Sequence, residues 1–152
     1  MVRNEHRRRL AAPPDAVGAR STPSPRRTTG CGPSGTGPRC ASTVRYRVEE
    51  YRPGRRVRFR FEAPRGFDGH HEYVVVPAGE RETVLRHSLV MRTTGPARLG
   101  WPLFYRPLHD ALIEDSLDRT ARSLDLDVAR PRRWSPLVRA LRAVARRAVP
   151  AA

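Results

Sequence analysis

The stretch 44–62, which reads VRYRVEEYRPGRRVRFRFE, contains two runs in which apolar and charged side chains alternate. A repeat of two residues is typical of a β-strand whose alternate side chains face a buried surface. Pro53 and Gly54 separate the two runs, and this pair suits a tight turn. The stretch therefore predicts a β-hairpin with one apolar face and one charged face.

A two-residue loop at this turn would fix the register of the hairpin. It pairs Val48 with Phe59, Tyr46 with Phe61 and Glu49 with Arg58. Apolar side chains then face each other on one surface, and opposite charges meet on the other. A slip by one residue would break both patterns, so the sequence favours this register.

Two further strands are expected downstream of the hairpin. A loop at 64–69 leads into a strand at 70–76, which a turn at 77–79 ends. The next alternating run covers 83–92 and places His87 on its apolar face. Strands joined by short turns predict an antiparallel meander.

A long helix is predicted from Pro107 to about Leu126, after a Trp- and Pro-containing lead-in at 99–107. Pro107 suits the first position of a helix. One half of the helical wheel carries His109, Leu112, Ile113, Ser116, Leu117, Thr120, Ala121 and Leu124, and most of the other half carries Asp110, Glu114, Asp115, Asp118, Arg119 and Arg122. At ~1.5 Å per residue the helix is ~30 Å long, about the length of a nine-residue strand. We therefore expect it to lie across one face of the sheet.

The positive charge lies at the two ends of the chain. Of 152 residues, 30 are arginine and none is lysine, and the formal net charge is +15. Residues 1–43 hold 8 arginines and 2 acids, 128–152 hold 7 arginines and no acid, and 44–127 hold 15 arginines and 13 acids. Because the middle is nearly balanced, we expect no specific binding of nucleic acid. We also expect a cytoplasmic protein, for two reasons. No apolar run is long enough to span a membrane. The arginines at 7–9 are not followed by the apolar run that an export signal would have.

Three stretches together resemble a known superfamily. They are 46–61 (YRVEEYRPGRRVRFRF), 66–75 (GFDGHHEYVV) and 101–119 (WPLFYRPLHDALIEDSLDR). They are similar to the START/polyketide cyclase superfamily, also called SRPBCC, whose fold is the helix-grip. The resemblance covers about 44–126 and extends weakly to 10–19. It implies an α+β fold in which a curved antiparallel sheet is packed around a long C-terminal helix, here incomplete on the N-terminal side.

The segment 20–43 departs from this resemblance. It is rich in Pro, Gly, Ser and Arg and almost free of large apolar side chains, so we predict disorder. We interpret it either as the product of a shifted reading frame or gene-model error, or as a genuine disordered insertion. Its Cys31 and Cys40 are expected to be free thiols. The chain then divides into a strand and helix start at 1–19, this segment, a helix-grip domain at 44–127 and a basic amphipathic tail at 128–152.

The resemblance implies a cavity between sheet and helix for a hydrophobic small molecule of lipid or polyketide type, with no cofactor. Glu50 is a further residue that would position this ligand. The side chains expected to line or contact the ligand are Tyr46, Val57, Phe59, Phe61, Tyr73, Leu85, Leu89, Leu112 and Ile113.

Three histidines are candidates for catalysis in an alternative function, that of a cyclase- or dehydratase-like enzyme. Alternation and the helical wheel place His71, His87 and His109 towards the same cavity, where an imidazole suits proton transfer. The default interpretation is that each is a core histidine held by one hydrogen bond. No metal site is expected, because the sequence has no HxxxH or HExxH spacing.

The tail offers a second alternative function. Ser135 and Pro136 suit the start of a helix with arginines on one side. Such a helix attracts anionic lipid or nucleic-acid phosphate. Its apolar side is mostly Ala and Val, so only a weak contact with an anionic surface is expected.

Overall fold

The structure, a computed structural model, describes residues 1–22, 44–128 and 133–147. The predictions for 20–43, Cys31 and Cys40 therefore lie almost entirely outside the described residues. Arg20 and Ser21 are described and belong to a helix, not to a disordered segment.

Five strands form one antiparallel sheet in the order β1-β5-β4-β3-β2. The chain contributes β1 (Val2–Leu10), α1 (Pro14–Ser21), β2 (Arg45–Arg52), β3 (Arg56–Ala63), β4 (Phe67–Gly79) and β5 (Glu82–Thr93). The predicted meander from β2 to β5 is confirmed, and β1 joins its far edge.

The hairpin has the predicted inner pairs but a longer turn. Tyr46 lies opposite Phe61 and Val48 opposite Phe59, whereas Glu50, not Glu49, lies opposite Arg58. The loop has three residues because Arg52 pairs with Arg56, and Gly54 adopts a φ of 69° within it. A register shift between Val48 and Glu50 absorbs the extra residue, as a β-bulge does.

The bulge also changes which side chains face the core. Beyond it Tyr51 packs against the core. The carboxylate of Glu50 contacts the guanidinium groups of Arg52 at 2.9 Å and Arg56 at 3.4 Å. The expectation that Glu50 would position a ligand is therefore wrong.

The long helix begins earlier than predicted. It runs for 26 residues through α2 (Ala97–Gly100), a π-helical turn (Trp101–Tyr105) and α3 (Arg106–Arg122). The lead-in at 99–107 is therefore helical. Pro107 has no N–H to donate, and it lies at the second position of α3, just after the wider π turn, where the helix can continue through it.

The helix lies against the sheet as the resemblance implied, but it is rotated. Ile113, Leu117 and Ala121 are buried in the main core together with Val57, Phe59 and Leu85. Leu112 is 46% exposed, so its assignment to the pocket is wrong. Asp118, which the wheel placed on the solvent side, is buried. The rotation turns an acidic stripe of the helix towards β1.

The C-terminal helix α4 (Pro136–Arg147) packs on α3. The Oγ atom of Ser135 accepts a hydrogen bond from the Val138 backbone N–H at 3.2 Å, as expected for an N-cap. Trp134 Nε1 donates to Asp115 at 3.1 Å, and Arg142 lies over the Trp134 ring. In the described ranges no helix has the length and apolar character needed to cross a bilayer. Contact of α4 with an anionic surface stays a prediction.

Candidate functional site

Histidines occupy the middle of the concave face. His87 on β5 lies opposite His6 on β1 and Tyr73 on β4, and His71 on β4 lies opposite Leu89. Each of these strands alternates, so every second side chain faces the helix. The central rows of the sheet thus combine imidazole rings with apolar side chains.

The three predicted histidines come together. Nδ1 of His71 lies 3.2 Å from Nε2 of His87. The ring of His109 reaches down from the helix to within 5.1 Å of the His87 ring centroid. The interpretation that they converge between sheet and helix agrees with the structure, while a catalytic role stays a prediction.

Six rings form a closed circuit between sheet and helix, which we call the aromatic circuit. Neighbouring ring centroids lie 5.1–5.9 Å apart. In order, the members are His71, Phe61, Phe67, Trp101, His109 and His87. Tyr46 and Phe59 extend it on one side, each with its ring centroid close to His71. The circuit therefore has an apolar, aromatic half and an imidazole half.

Gly69 allows β4 and β5 to approach closely beside the circuit. On the pairing of β4 with β5 it lies opposite Met91. A Cβ atom at Gly69 would lie 2.5 Å from the Met91 Cα, closer than side chains allow. The strands approach closely here because this position has no side chain.

Two ring nitrogens in the circuit have no hydrogen-bond partner among the residues that the structure describes. They are Nδ1 of His87 and Nε2 of His109, and both are buried. A buried polar atom without a partner costs about 1–3 kcal/mol, so native proteins normally provide one. A polar atom of a bound molecule beside either nitrogen would be stabilised.

Burial keeps the three imidazoles neutral. It lowers the pKa of His71 from 6.5 to about 3, and the nearby His109 acts in the same direction. The pKa of His87 is lowered well below 6.5 by burial and by the neighbouring imidazoles. Burial also lowers the pKa of His109, although Asp110 opposes this shift. At neutral pH each ring thus has one N–H donor and one acceptor nitrogen.

Two tyrosines remain hydroxyl donors next to the histidines. Burial raises the pKa of Tyr46 and of Tyr73 to about 12. The Tyr73 hydroxyl donates to Ser116 Oγ on the helix at 3.3 Å. Side chains of sheet and helix therefore meet directly at this point.

The structure places the other predicted pocket residues unevenly. Val57, Phe59, Tyr73, Leu85, Leu89 and Ile113 are buried between sheet and helix, and Tyr46 and Phe61 are half-buried. Phe67 and Trp101 were not predicted as pocket residues. The circuit contains both because β4 and the helix begin earlier than the sequence indicated.

A polar network between β1 and the helix was also missed. Three side chains of β1 face three acids of the helix, namely Asn4, His6 and Arg8 on β1 and Asp110, Glu114 and Asp118 on α3. The shortest contact joins Arg8 Nη1 to Asp118 Oδ1 at 2.6 Å. A spacing of two along the strand and four along the helix puts each set on one face. That matched spacing is the signal that the sequence offered.

Comparisons with known proteins concern the fold. No family model and no curated protein matches the sequence. Among solved structures, CalU16 from Micromonospora echinospora is 19% identical with a TM-score of 0.54, covering 97% of this chain and 85% of that one. A conserved protein of unknown function, EF2215 from Enterococcus faecalis, is 12% identical with a TM-score of 0.53, covering 95% and 85%. A START superfamily protein from Mycobacterium smegmatis is 9% identical with a TM-score of 0.49, covering 80% and 98%.

The architecture places the chain in a structural class. A curved five-stranded antiparallel sheet holds a long helix on its concave face, and this is the α+β helix-grip arrangement. The fold that the sequence resemblance implied is thus confirmed. Many functions can share one fold, so the activity has to be argued from the aromatic circuit.

Proposed function

We propose that the protein binds an uncharged hydrophobic small molecule that carries a polar group, at the aromatic circuit. The observation that supports this most strongly is the pair of buried nitrogens, His87 Nδ1 and His109 Nε2, without a partner among the described residues. A hydroxyl or carbonyl group can pair with a neutral imidazole nitrogen. The ligand would thereby satisfy polar atoms that the described part of the chain leaves unsatisfied.

The opposite half of the circuit suits the apolar body of such a ligand. Phe61, Phe67 and Trp101 offer ring faces and edges of the kind that stack on flat apolar molecules. Burial of apolar surface contributes roughly 25 cal/mol per Å². Because the three imidazoles are neutral, the circuit offers no charge of its own to an ionic ligand, and we infer a lipid-like or polyketide-like molecule.

Sheet and helix already touch at Tyr73 and Ser116, so the ligand would enter at the half-buried side. Tyr46 and Phe61 are half-buried and lie against the His71 ring. The π-helical turn at Trp101–Tyr105 covers the neighbouring rings. Movement of this turn would widen the circuit without breaking the sheet.

Fluorescence titration with 1-naphthol and naphthalene tests the proposal. Both probes are flat and apolar, but only naphthol can hydrogen-bond to an imidazole. We expect tighter binding of naphthol to the wild type, and loss of that preference in His87→Leu, because a site with a polar partner rejects a ligand lacking the matching group. Phe61→Ala should weaken the binding of both probes by about tenfold, which corresponds to ~1.4 kcal/mol.

The matched control is Leu112→Ala, since Leu112 is an exposed leucine of α3, the helix that covers the circuit. It should bind both probes as the wild type does. EDTA in every titration keeps the result independent of metal ions, and circular dichroism verifies that each variant is folded. Equal affinity of all variants for both probes would contradict the proposal. Native mass spectrometry of the purified protein can then identify a co-purified apolar molecule.

An enzymatic role is the second candidate, and the convergence of three imidazoles favours it. A neutral imidazole can accept a proton from an enolisable ligand. His71, with a pKa of about 3, is a weak base, so His109 is the better candidate. Turnover of the co-purified molecule by the wild type, lost in His109→Gln while the molecule still binds, would support a cyclase- or dehydratase-like reaction.

A further inference from the structure

Three potential metal ligands meet at the edge of the aromatic circuit, with which they share His109, where β1 passes the start of α3. Asp110 Oδ1 lies 3.3 Å from His6 Nε2 and 3.3 Å from His109 Nδ1. One ligand atom from each of the three side chains falls within 4.8 Å of the others. The exposed fractions of these side chains are 13% for His6, 16% for His109 and 27% for Asp110.

The two distances to Asp110 match the spacing of ligand atoms around a metal ion. Zinc binds imidazole nitrogen at about 2.0–2.1 Å and carboxylate oxygen at about 2.0–2.2 Å. For a tetrahedral ion, bonds of this length place neighbouring ligand atoms about 3.3–3.4 Å apart. Both contacts to Asp110 have this spacing already. We propose that His6, His109 and Asp110 form a binding site for a divalent transition-metal ion such as Zn²⁺, with one coordination position left for water or a ligand.

The neighbours of the three ligands support this assignment. Glu114 Oε1 lies 2.7 Å from His6 Nδ1, so it can accept that nitrogen's hydrogen and leave the Nε2 lone pair for the ion. A carboxylate behind a histidine ligand is a recurrent outer-shell feature of zinc sites. Asn4 Nδ2 donates to Asp110 Oδ1 at 2.9 Å and Arg8 Nη2 donates to Glu114 Oε2 at 3.0 Å, so both carboxylates are held in place.

The charges near the site are compatible with a dication. Asp110 and Glu114 contribute two carboxylates, and Arg8 lies between Glu114 and Asp118. The guanidinium of Arg106 is 3.7 Å from the other Asp110 oxygen. Two nitrogen ligands and one oxygen ligand suit Zn²⁺, Co²⁺ or Ni²⁺ better than Mg²⁺ or Ca²⁺, which prefer oxygen alone.

One of the three ligands, Asp110, also lines a surface cleft. A cleft of about 200 Å³ separates the start of α3 from α4 and the residues before it. Its lining includes Asp110 together with Pro107, Ala111, Arg133, Trp134, Ser135 and Val138. An ion can therefore reach Asp110 from this side without passing through the aromatic circuit.

Metal titration tests the proposal. The protein carries Cys31→Ser and Cys40→Ser to remove both thiols, is treated with EDTA, dialysed and titrated at pH 7.5 with Zn²⁺ by calorimetry and with Co²⁺ by visible absorption. We expect one ion per chain and an intense, low-symmetry cobalt spectrum. His6→Ala and Asp110→Asn should abolish the spectrum, and Glu114→Gln should weaken binding by about 10–100-fold.

The matched control is His70→Ala, because His70 lies on the opposite face of β4 and pairs with Arg60 and Val90 across the sheet. It should bind both ions as the parent does. Circular dichroism confirms that each variant is folded, and Asp110→Asn keeps the side-chain volume in case His6→Ala does not fold. The proposal would be overturned if the parent protein bound neither ion. It would also be overturned if Asp110→Asn and Glu114→Gln bound the ions as tightly as the parent does. Either result would show that hydrogen bonds alone hold these side chains together.

Discussion

Nδ1 of His71 lies 3.2 Å from Nε2 of His87, so one of the two nitrogens donates a hydrogen and the other accepts it. The direction of this bond sets the tautomer of His87. If His87 accepts at Nε2, its Nδ1 carries the hydrogen and seeks an acceptor such as a carbonyl; if it donates, Nδ1 seeks a donor such as a hydroxyl. The pair thus links the packing of the core to the kind of polar group that the aromatic circuit selects.

Stability is expected to fall as the solution is acidified below about pH 6.5. Burial lowers the pKa values of His71, His87 and His109 in the folded protein, whereas the unfolded chain has ordinary values near 6.5. Between the folded and unfolded pKa values the unfolded state binds more protons, so stability decreases as pH falls. A histidine whose folded pKa lies far below the solution pH, such as His71, contributes up to about 1.4 kcal/mol per pH unit. Urea unfolding from pH 7.5 to 5 measures this slope.

In His71→Phe, the pH dependence of the free energy of unfolding should correspond to about one proton fewer, because the variant lacks one titrating imidazole. The variant should still fold, because a phenyl ring fits between the stacked rings of Phe59 and Phe61. Leu112→Ala should keep the slope of the wild type. A free energy of unfolding that stays constant from pH 7.5 to 5 would contradict burial of neutral imidazoles.

Gly18→Ala should destabilise the protein although alanine is the better helix former. Gly18 lies in α1 against the turn of the β2–β3 hairpin, and a Cβ atom there would lie 2.1 Å from the Gly54 carbonyl oxygen. The gain in helix propensity is about 1 kcal/mol, whereas overpacking typically costs about 1–3 kcal/mol and here involves rigid backbone. Gly79→Ala, whose Cβ would make an ordinary 3.8 Å contact with Glu82, should change stability by less than about 0.5 kcal/mol. Thermal unfolding of both variants measures the two effects. A Gly18→Ala variant more stable than the wild type would contradict the close approach of α1 to the hairpin turn at Gly54.

Asp118→Ala should cost about 3 kcal/mol, near the lower end for a broken buried ion pair, because Arg8 keeps its contact with Glu114. The Asp118 side chain is only 2% exposed. The control is Arg9→Ala, which removes a pair with Glu82 that is 72% and 41% exposed and should cost at most about 1 kcal/mol. Denaturant titrations of the two single variants compare the costs. Equal losses would show that the β1–helix network is not buried in solution.

Phe59→Ala should cost about 3–5 kcal/mol, because the ring is 2% exposed and packs against Tyr46 and His71. Leu112→Ala should cost no more than about 0.5 kcal/mol, since Leu112 is 46% exposed. The sequence assigned both residues to the same pocket, so this comparison tests the rotation of the helix. A large loss of stability in Leu112→Ala would show that Leu112 is packed in the core.

The strands of the sheet and their pairing could be predicted where apolar residues alternate with charged ones. Tyr46 and Val48 face Phe61 and Phe59 as predicted, because only this register keeps both pairs on the buried side. The bulge before Glu50 could not be predicted. The same residues fit a two-residue or a three-residue loop, and the geometry of the turn decides between them. That one-residue difference placed Glu50 on the charged side of the sheet.

The sequence by itself determined the meander, the long helix and the inward position of His71 and His87, because repeats of two and of 3.6 residues follow from backbone geometry alone. Only the tertiary structure decided that Asn4, His6 and Arg8 face inward, since a strand that is polar on both sides carries no hydrophobic period. Their burial depends on the acids of α3, more than a hundred residues away in sequence, and those acids look solvent-facing on a helical wheel. Each set satisfies the charges and hydrogen bonds of the other only when the helix lies against β1.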